Sequence, residues 1–142
     1  MNIKINDGKK TYNIQNQDGE IVGAVTFDPT DTNILKRIDP FFEELDVMFD
    51  DLKKVDRDGF ETVLTEKENA IKEKINAFFN ADVVSPFEKI RGLFSPDGGK
   101  YFIENVLISL VGIVNEEYAK ETKAAESRMA EYLEEYTEGA EK

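Results

Sequence analysis

The sequence predicts an α+β protein in which an N-terminal three-stranded antiparallel β-meander precedes a mainly helical body of four to five helices. Two Asp-Gly pairs, Asp7-Gly8 and Asp18-Gly19, lie between alternating apolar residues, a pattern typical of tight hairpins. Farther along the chain, apolar residues recur at helical spacing. All four prolines follow Asp or Ser, and such pairs are typical of helix starts.

The length of 142 residues predicts a single domain spanning 1–142. We divide it into the meander (1–27), a helical core (28–118) and a polar C-terminal helix extension (119–142). A chain of this size can bury a core without disulfides or metals. It contains no Cys, which fits a reducing compartment.

Each Asp-Gly pair predicts a two-residue hairpin loop. The three strands are then predicted at residues 1–6, 9–16 and 20–27. In this register Tyr12 opposes Ile3 on one side and Val25 on the other. The apolar residues of the meander then share one face: Met1, Ile3, Ile5, Tyr12, Ile14, Ile21, Val25 and Phe27. The helices are expected to cover that face.

The first two Asp-Pro pairs predict a helix start and a helix break. Asp28 is the predicted N-cap of a first helix that ends near Ile38. Asp39-Pro40 is predicted to restart or kink that helix. An amphipathic helix is predicted after it, from the apolar residues Phe41, Phe42, Leu45, Met48, Phe49, Leu52 and Val55.

The remaining helices are separated by turn sequences. Residues 56–59 predict a turn before the third helix, and Ser85 with Glu88 predicts a capping box that opens a short helix. The two glycines within 95–99 predict a loop. The last helix is predicted over about 100–136, with a first half that is apolar nearly all round and a polar second half. The first half is therefore expected to be the central core element.

The net charge of −12 argues against nucleic-acid binding, which depends on neutralising phosphates with Lys and Arg. Two stretches, 43–61 and 115–142, carry most of the excess acid. We interpret them as solvated helix faces; the alternatives are acidic surfaces for basic partners, or mimicry of nucleic acid. The most apolar stretch, 101–114, is too short to span a bilayer, so no membrane association is expected. No secretory signal is recognised at the start of the sequence.

No motif in the sequence predicts an enzyme, a cofactor or a metal site. The chain has no His, the commonest general acid or base and metal ligand. Residues 54–65 resemble a calcium loop only around Gly59, because Lys54 and Thr65 stand where carboxylates are needed. Gly98-Gly99-Lys100 lacks the other residues of a phosphate loop.

Two apolar surfaces are candidates for partner binding. The aromatic residues Phe41, Phe42 and Phe49 are interpreted as core, with a groove for a partner helix as the alternative. The second candidate is a narrow line on the polar half of the last helix, which the core does not need. Its members are Met129, Tyr132, Leu133 and Tyr136.

Residues 1–55 resemble tail assembly chaperones of long-tailed bacteriophages and prophages of Gram-positive bacteria. The resemblance depends on a β-rich head that ends in Phe-Asp-Pro-Thr-Asp-Thr-Asn-Ile-Leu-Lys-Arg (27–37) and continues into acidic amphipathic helices. It implies a non-enzymatic protein of the bacterial host cytoplasm that binds the tape-measure protein and the tail tube protein. The resemblance supplies no functional residues. It is compatible with a homo-oligomer.

Two other functions are kept as alternatives. One is a structural virion component, such as a minor tail or head–tail connector protein. The other is an acidic nucleic-acid mimic that inhibits a host DNA-binding protein.

Overall fold

A computed structural model describes the backbone of residues 1–141 and the side chains of residues 1–123. Its elements are β1 (Lys10–Gln15), β2 (Ile21–Phe27), α1 (Thr32–Lys53), α2 (Arg57–Phe79), α3 (Ser85–Glu88), β3 (Pro96–Asp97), β4 (Lys100–Tyr101) and α4 (Phe102–Glu141). The α+β class is confirmed. Across the described residues there are four helices, within the predicted range, and the N-terminal sheet has two antiparallel strands.

The predicted first strand is wrong, because residues 1–9 pair with no strand. A type I′ turn at Asp7-Gly8 needs positive φ at both residues, and only Gly8 has it, with φ of 75°. The Asn6 side chain instead accepts the N–H of Gly8 at 2.9 Å, and that of Asp7 accepts the N–H of Lys9 at 3.1 Å. These local bonds replace the hairpin turn.

The β1–β2 hairpin has the predicted pairing of Tyr12 with Val25. Its loop has three residues rather than two, since Asn16 and Glu20 close it and Gly19 takes a φ of 80°. The extra loop residue is absorbed by a bulge where the register shifts. Beyond that bulge Ile21 is exposed, so its predicted place on the apolar face is wrong.

Helix α1 begins after Asp31, so the predicted N-cap at Asp28 is wrong. The Asp31 carboxylate accepts the N–H of Asn33 at 2.9 Å. The Asp28 carboxylate accepts the N–H of Thr30 at 3.1 Å and so closes a turn around Pro29. The sheet therefore leads into the helix through a short turn over residues 28–31.

The predicted restart of the helix at Asp39-Pro40 is also wrong, because α1 continues through Pro40. The alternative of a kink there stays a prediction. A proline inside a helix removes one backbone hydrogen bond. The buried side chains on either side of it, Ile34, Phe41 and Leu45, form one continuous stripe against the core. Their packing stabilises the helix on both sides of the proline.

The turn predicted between α1 and α2 is present, and Asp56 caps α2 by accepting the N–H of Gly59 at 2.8 Å. The predicted capping box at Ser85 is wrong. Ser85 lies inside α3, and Val84 at the cap position makes no side-chain hydrogen bond. Asp82 accepts the N–H of Ser85 at 3.1 Å, and hydrogen bonds from Ser85 lower the pKa of that carboxyl.

The loop predicted at 95–99 contains a small hairpin. Gly98 and Gly99 have φ of 64° and 84°, the conformation that a type I′ turn requires, and they join β3 to β4. Helix α4 starts immediately after β4. This hairpin therefore sets the point at which the last helix enters the body.

One cluster of buried apolar side chains joins the sheet to the helices. Phe27 of β2 meets Phe79 of α2 edge to face at 5.3 Å between ring centroids. Phe41 of α1 stacks on Phe78 of α2 at 4.1 Å. The buried members of α4 are Ile103, Val106, Leu107, Leu110 and Val114.

Candidate partner-binding site

The predicted partner-binding line on the last helix lies outside the side chains that the structure describes. Its members are Met129, Tyr132, Leu133 and Tyr136. The backbone there is helical, since α4 extends to Glu141. Their role in binding stays a prediction.

The aromatic residues of α1 divide between core and surface. Phe41 and Phe49 are buried, as the core interpretation predicts. Phe42 is half-buried and lines an open groove between α1 and α4. The alternative of a groove for a partner helix therefore has a structural basis at Phe42.

This surface, the α1–α4 groove, has a volume of about 360 Å³. Its residues come from two turns of α1 and three turns of α4: Phe42, Leu45, Asp46, Phe49, Glu104, Leu107, Ile108, Val111, Gly112 and Asn115. The floor is buried core, including Leu45 and Leu107, whereas Ile108 is 55% exposed. Leu35, half exposed, precedes Phe42 by seven residues and so extends the same side of α1.

Gly112 opens the groove at the middle of α4. A Cβ atom at this position would have no neighbour within 4 Å apart from its own helix turn. Glycine inside a helix costs about 0.8–1 kcal/mol relative to alanine. No turn or close packing within the described residues accounts for that cost. The missing side chain leaves the helix backbone accessible to a partner.

The charged side chains of the groove are acidic. Asp46 stands exposed on the rim and forms no ion pair with any side chain that the structure describes. Glu104 accepts the N–H of Tyr101 at 3.0 Å, at the first turn of α4. All charged residues that line the groove are therefore negative. A ligand with positive charge beside an apolar surface complements it.

A larger groove of about 640 Å³ lies between α1 and α2, and three of the charged side chains that line it, Arg37, Glu44 and Lys74, link the two helices. Lys74 forms an ion pair with Glu44 across it. The Arg37 guanidinium donates to the carbonyls of Ala77 and Phe78, at 3.2 and 2.7 Å. These contacts join the two helices, so we assign this groove to the fold.

An ion pair between the sheet and the helical body is also structural. Lys10 of β1 donates to Glu117 of α4 at 2.6 Å, and this hydrogen bond lowers the pKa of the Glu117 carboxyl. Nearby, the Tyr118 hydroxyl donates to the Thr30 carbonyl at 2.9 Å. Burial raises the pKa of Tyr118. Both contacts attach α4 to the end of the sheet.

Within the described residues, no group of three acidic side chains is placed to hold a metal ion. No helix in that part of the chain combines the length and the apolar character needed to cross a bilayer. Comparisons with protein-family models, with curated proteins and with solved structures find no match to the chain.

One feature of the sequence, a glycine within the apolar first half of α4, marks this groove, although the apolar pattern itself predicted a core helix. The first half of α4 is apolar nearly all round, and that pattern predicted a fully buried element. In the structure Ile108 and Gly112 lie on the side of α4 that the body leaves uncovered. A helical glycine within an apolar run is the feature that separates a groove from a buried face.

Proposed function

We propose that the chain is a non-enzymatic tail assembly chaperone of a long-tailed bacteriophage or prophage, and that its α1–α4 groove binds an amphipathic helix of the tape-measure protein. The observation that carries the proposal is the groove itself: an apolar surface opened by Gly112 and bordered by Asp46 and Glu104. The resemblance of residues 1–55 supplies the class of partner.

The chemistry of the groove defines the segment that fits it. Amphipathic helices bind such grooves through apolar residues at i, i+3, i+4 and i+7. The acidic rim favours Lys or Arg beside that apolar line, because opposite charges steer association and set the orientation. The preferred tape-measure segment is therefore a helix with one apolar stripe and basic flanks.

A reversible complex suits a chaperone that leaves before the particle is complete. Only part of the groove is exposed apolar surface, and a volume of about 360 Å³ admits a few side chains of a partner helix. Proposals that come from the resemblance alone are binding of the tail tube protein and residence in the cytoplasm of the bacterial host.

Co-expression with fragments of the tape-measure protein tests the proposal. The wild-type chain is expected to keep a fragment with an amphipathic basic helix soluble, and Ile108→Glu is expected to lose that effect. Val47→Glu is the matched control, since Val47 is also an exposed apolar residue of a helix, at 61% against 55%, and does not line the groove. Both variants add one negative charge.

The expected loss of affinity in Ile108→Glu is that of an anchor residue removed from a helix-binding groove. Truncation of such a residue costs more than about 1.4 kcal/mol, or about tenfold in affinity. Insolubility of every fragment with the wild-type chain would reject the chaperone function. Equal solubilisation by both variants would reject the groove as its site. Mass spectrometry of purified phage particles distinguishes a chaperone from a structural virion component. A structural component is detected in the particles, whereas a chaperone is absent from them.

A further inference from the structure

Residues 1–9, which we call the arm, retain the sequence pattern of a strand although they are unpaired. Ile3 and Ile5 are 92% and 76% exposed, and they alternate with polar residues. Within the described residues the arm makes no backbone–backbone hydrogen bond. An exposed apolar strand with free backbone groups is a site for pairing with another chain.

The other half of such a pairing is present in the same chain. The N-terminal sheet contains only β1 and β2, so the outer edge of β1 has no partner strand among the described residues. Tyr12 and Ile14 of β1 are only half-buried, and both pack against the core from that edge. A strand beside β1 would cover their remaining apolar surface.

The spacing of the arm matches that edge. If the arm takes the register that the sequence predicts, Ile3 lies opposite Tyr12, and Met1 lies opposite Ile14. The apolar residues of both strands then share one face of the sheet, and Lys4 meets Thr11 on the other face. A shift by one residue would place Ile3 and Ile5 in solvent.

The arm is held away from its own β1 edge. Asn6 and Asp7 bond to the backbone of the next residues, and Asp7 lacks the positive φ that a two-residue hairpin needs. A Cβ on Gly8 would approach the Asp28 carboxylate to 2.6 Å, so the chain is closely packed where the arm leaves the sheet. A strand that its own turn keeps open is suited to exchange between copies.

Charge also favours a second copy at this edge. The chain has a net charge of −12, and like charges would keep most of its surfaces apart. Residues 1–16 contain three lysines and one aspartate, so the arm and β1 are the least acidic part of the sequence. Each copy has a formal charge of +2 here, from three lysines less one aspartate, so two copies repel less at this edge than they would at the acidic stretches 43–61 and 115–142.

We propose that two copies of this chain form a dimer by strand exchange, in which the arm of each copy adds to the β1 edge of the other as an antiparallel third strand. The meander predicted from the sequence is then completed between chains. This goes beyond the chaperone function and does not rest on it.

Disulfide trapping tests the exchange directly, because the chain has no natural cysteine. Lys4→Cys and Thr11→Cys are prepared as separate proteins, mixed and oxidised. Exchange predicts a covalent heterodimer of twice the 16.2 kDa chain mass, formed from one copy of each variant. The same mixture carrying Ile3→Ser and Ile5→Ser is expected to lose at least tenfold of this product. Asn2→Ser, on the opposite face of the arm, is the matched control and keeps it.

The variant with both cysteines in one chain distinguishes the alternatives. Exchange predicts disulfides between chains. A disulfide within one chain, with a monomeric mass by light scattering, would mean that the arm closes on its own β1 and would overturn the proposal. A monomeric mass with no crosslink in either experiment would overturn it as well. Binding of the tape-measure fragment by the Ile3→Ser, Ile5→Ser variant reports on the groove separately.

Discussion

Replacement of Gly112 by alanine should stabilise the protein while it narrows the α1–α4 groove. The added methyl group meets no atom within 4 Å apart from its own helix turn, so it introduces no clash. The gain comes from helix propensity, because glycine in a helix interior costs about 0.8–1 kcal/mol relative to alanine. In a chain of this length that corresponds to a rise in Tm of about 2–5 °C.

The assay is urea and thermal unfolding followed by circular dichroism at 222 nm, with wild type and Gly112→Ala measured side by side. Gly59→Ala is the matched control on α2. The added Cβ would lie 2.7 Å from the Val55 side chain and 3.3 Å from the Asp56 carboxylate. This variant therefore gains helix propensity, but the close contacts at the start of the helix offset that gain. It should be less stable than Gly112→Ala by about 1 kcal/mol or more. A Gly112→Ala protein that is less stable than wild type would refute the open geometry at this position.

Three further predictions concern the fold. Phe27→Ala should lower the free energy of unfolding by about 3–5 kcal/mol in urea titrations, since Phe27 is 0% exposed and its ring packs on the helices. Gly8→Ala should destabilise by about 1–2 kcal/mol, because it forces a side chain into positive φ beside Asp28; unfolding midpoints equal to wild type would contradict this. The pKa of the Asp82 carboxyl is lowered by hydrogen bonds from Ser85, so its contribution is present above the ordinary value of 3.8 and is lost as pH falls through the folded-state pKa. Asp82→Asn should therefore flatten the loss of stability below about pH 4, with no change in slope near neutrality.

The sequence predicted elements well where local signals agree with tertiary packing. The pairing of Tyr12 with Val25, the turn capped by Asp56 and the α+β class all follow from local patterns that the core also favours. The predicted helix restart at Pro40 was wrong because the loss of one backbone hydrogen bond at the proline competes with a stripe of buried side chains on both sides of it. The gain from burying Phe41 and Leu45 decides that competition.

Turn chemistry explains the other errors. Both Asp-Gly pairs predicted two-residue loops, yet among the residues that the structure describes these pairs form none, and a two-residue turn forms at Gly98-Gly99 instead. Glycine takes positive φ more readily than Asp, whose Cβ disfavours it, so Asp-Gly specifies a type I′ turn less strongly than Gly-Gly does. Local hydrogen bonds to Asn6 then stabilise an open conformation, which a count of alternating residues does not reveal.

The candidate site was only partly predictable. Phe42 was recognised as a member of an aromatic stripe, but its place at the edge of a groove depends on how α1 meets α4. That arrangement follows from buried contacts of both helices with the sheet and α2, which no local pattern contains. Gly112 is the local sequence feature that marks the groove, and the structure explains it by the open space beside its Cα atom.

Protection of a cysteine at position 112 reports directly on whether a partner helix occupies the α1–α4 groove, because the chain has no other thiol. Gly112→Cys and the control Val47→Cys are treated with a maleimide reagent, with and without a soluble tape-measure fragment that carries an amphipathic basic helix. If the groove binds that helix, the fragment slows labelling at position 112 by at least tenfold and leaves the labelling rate at position 47 unchanged. Equal labelling rates at position 112, with the fragment demonstrably bound, would contradict it.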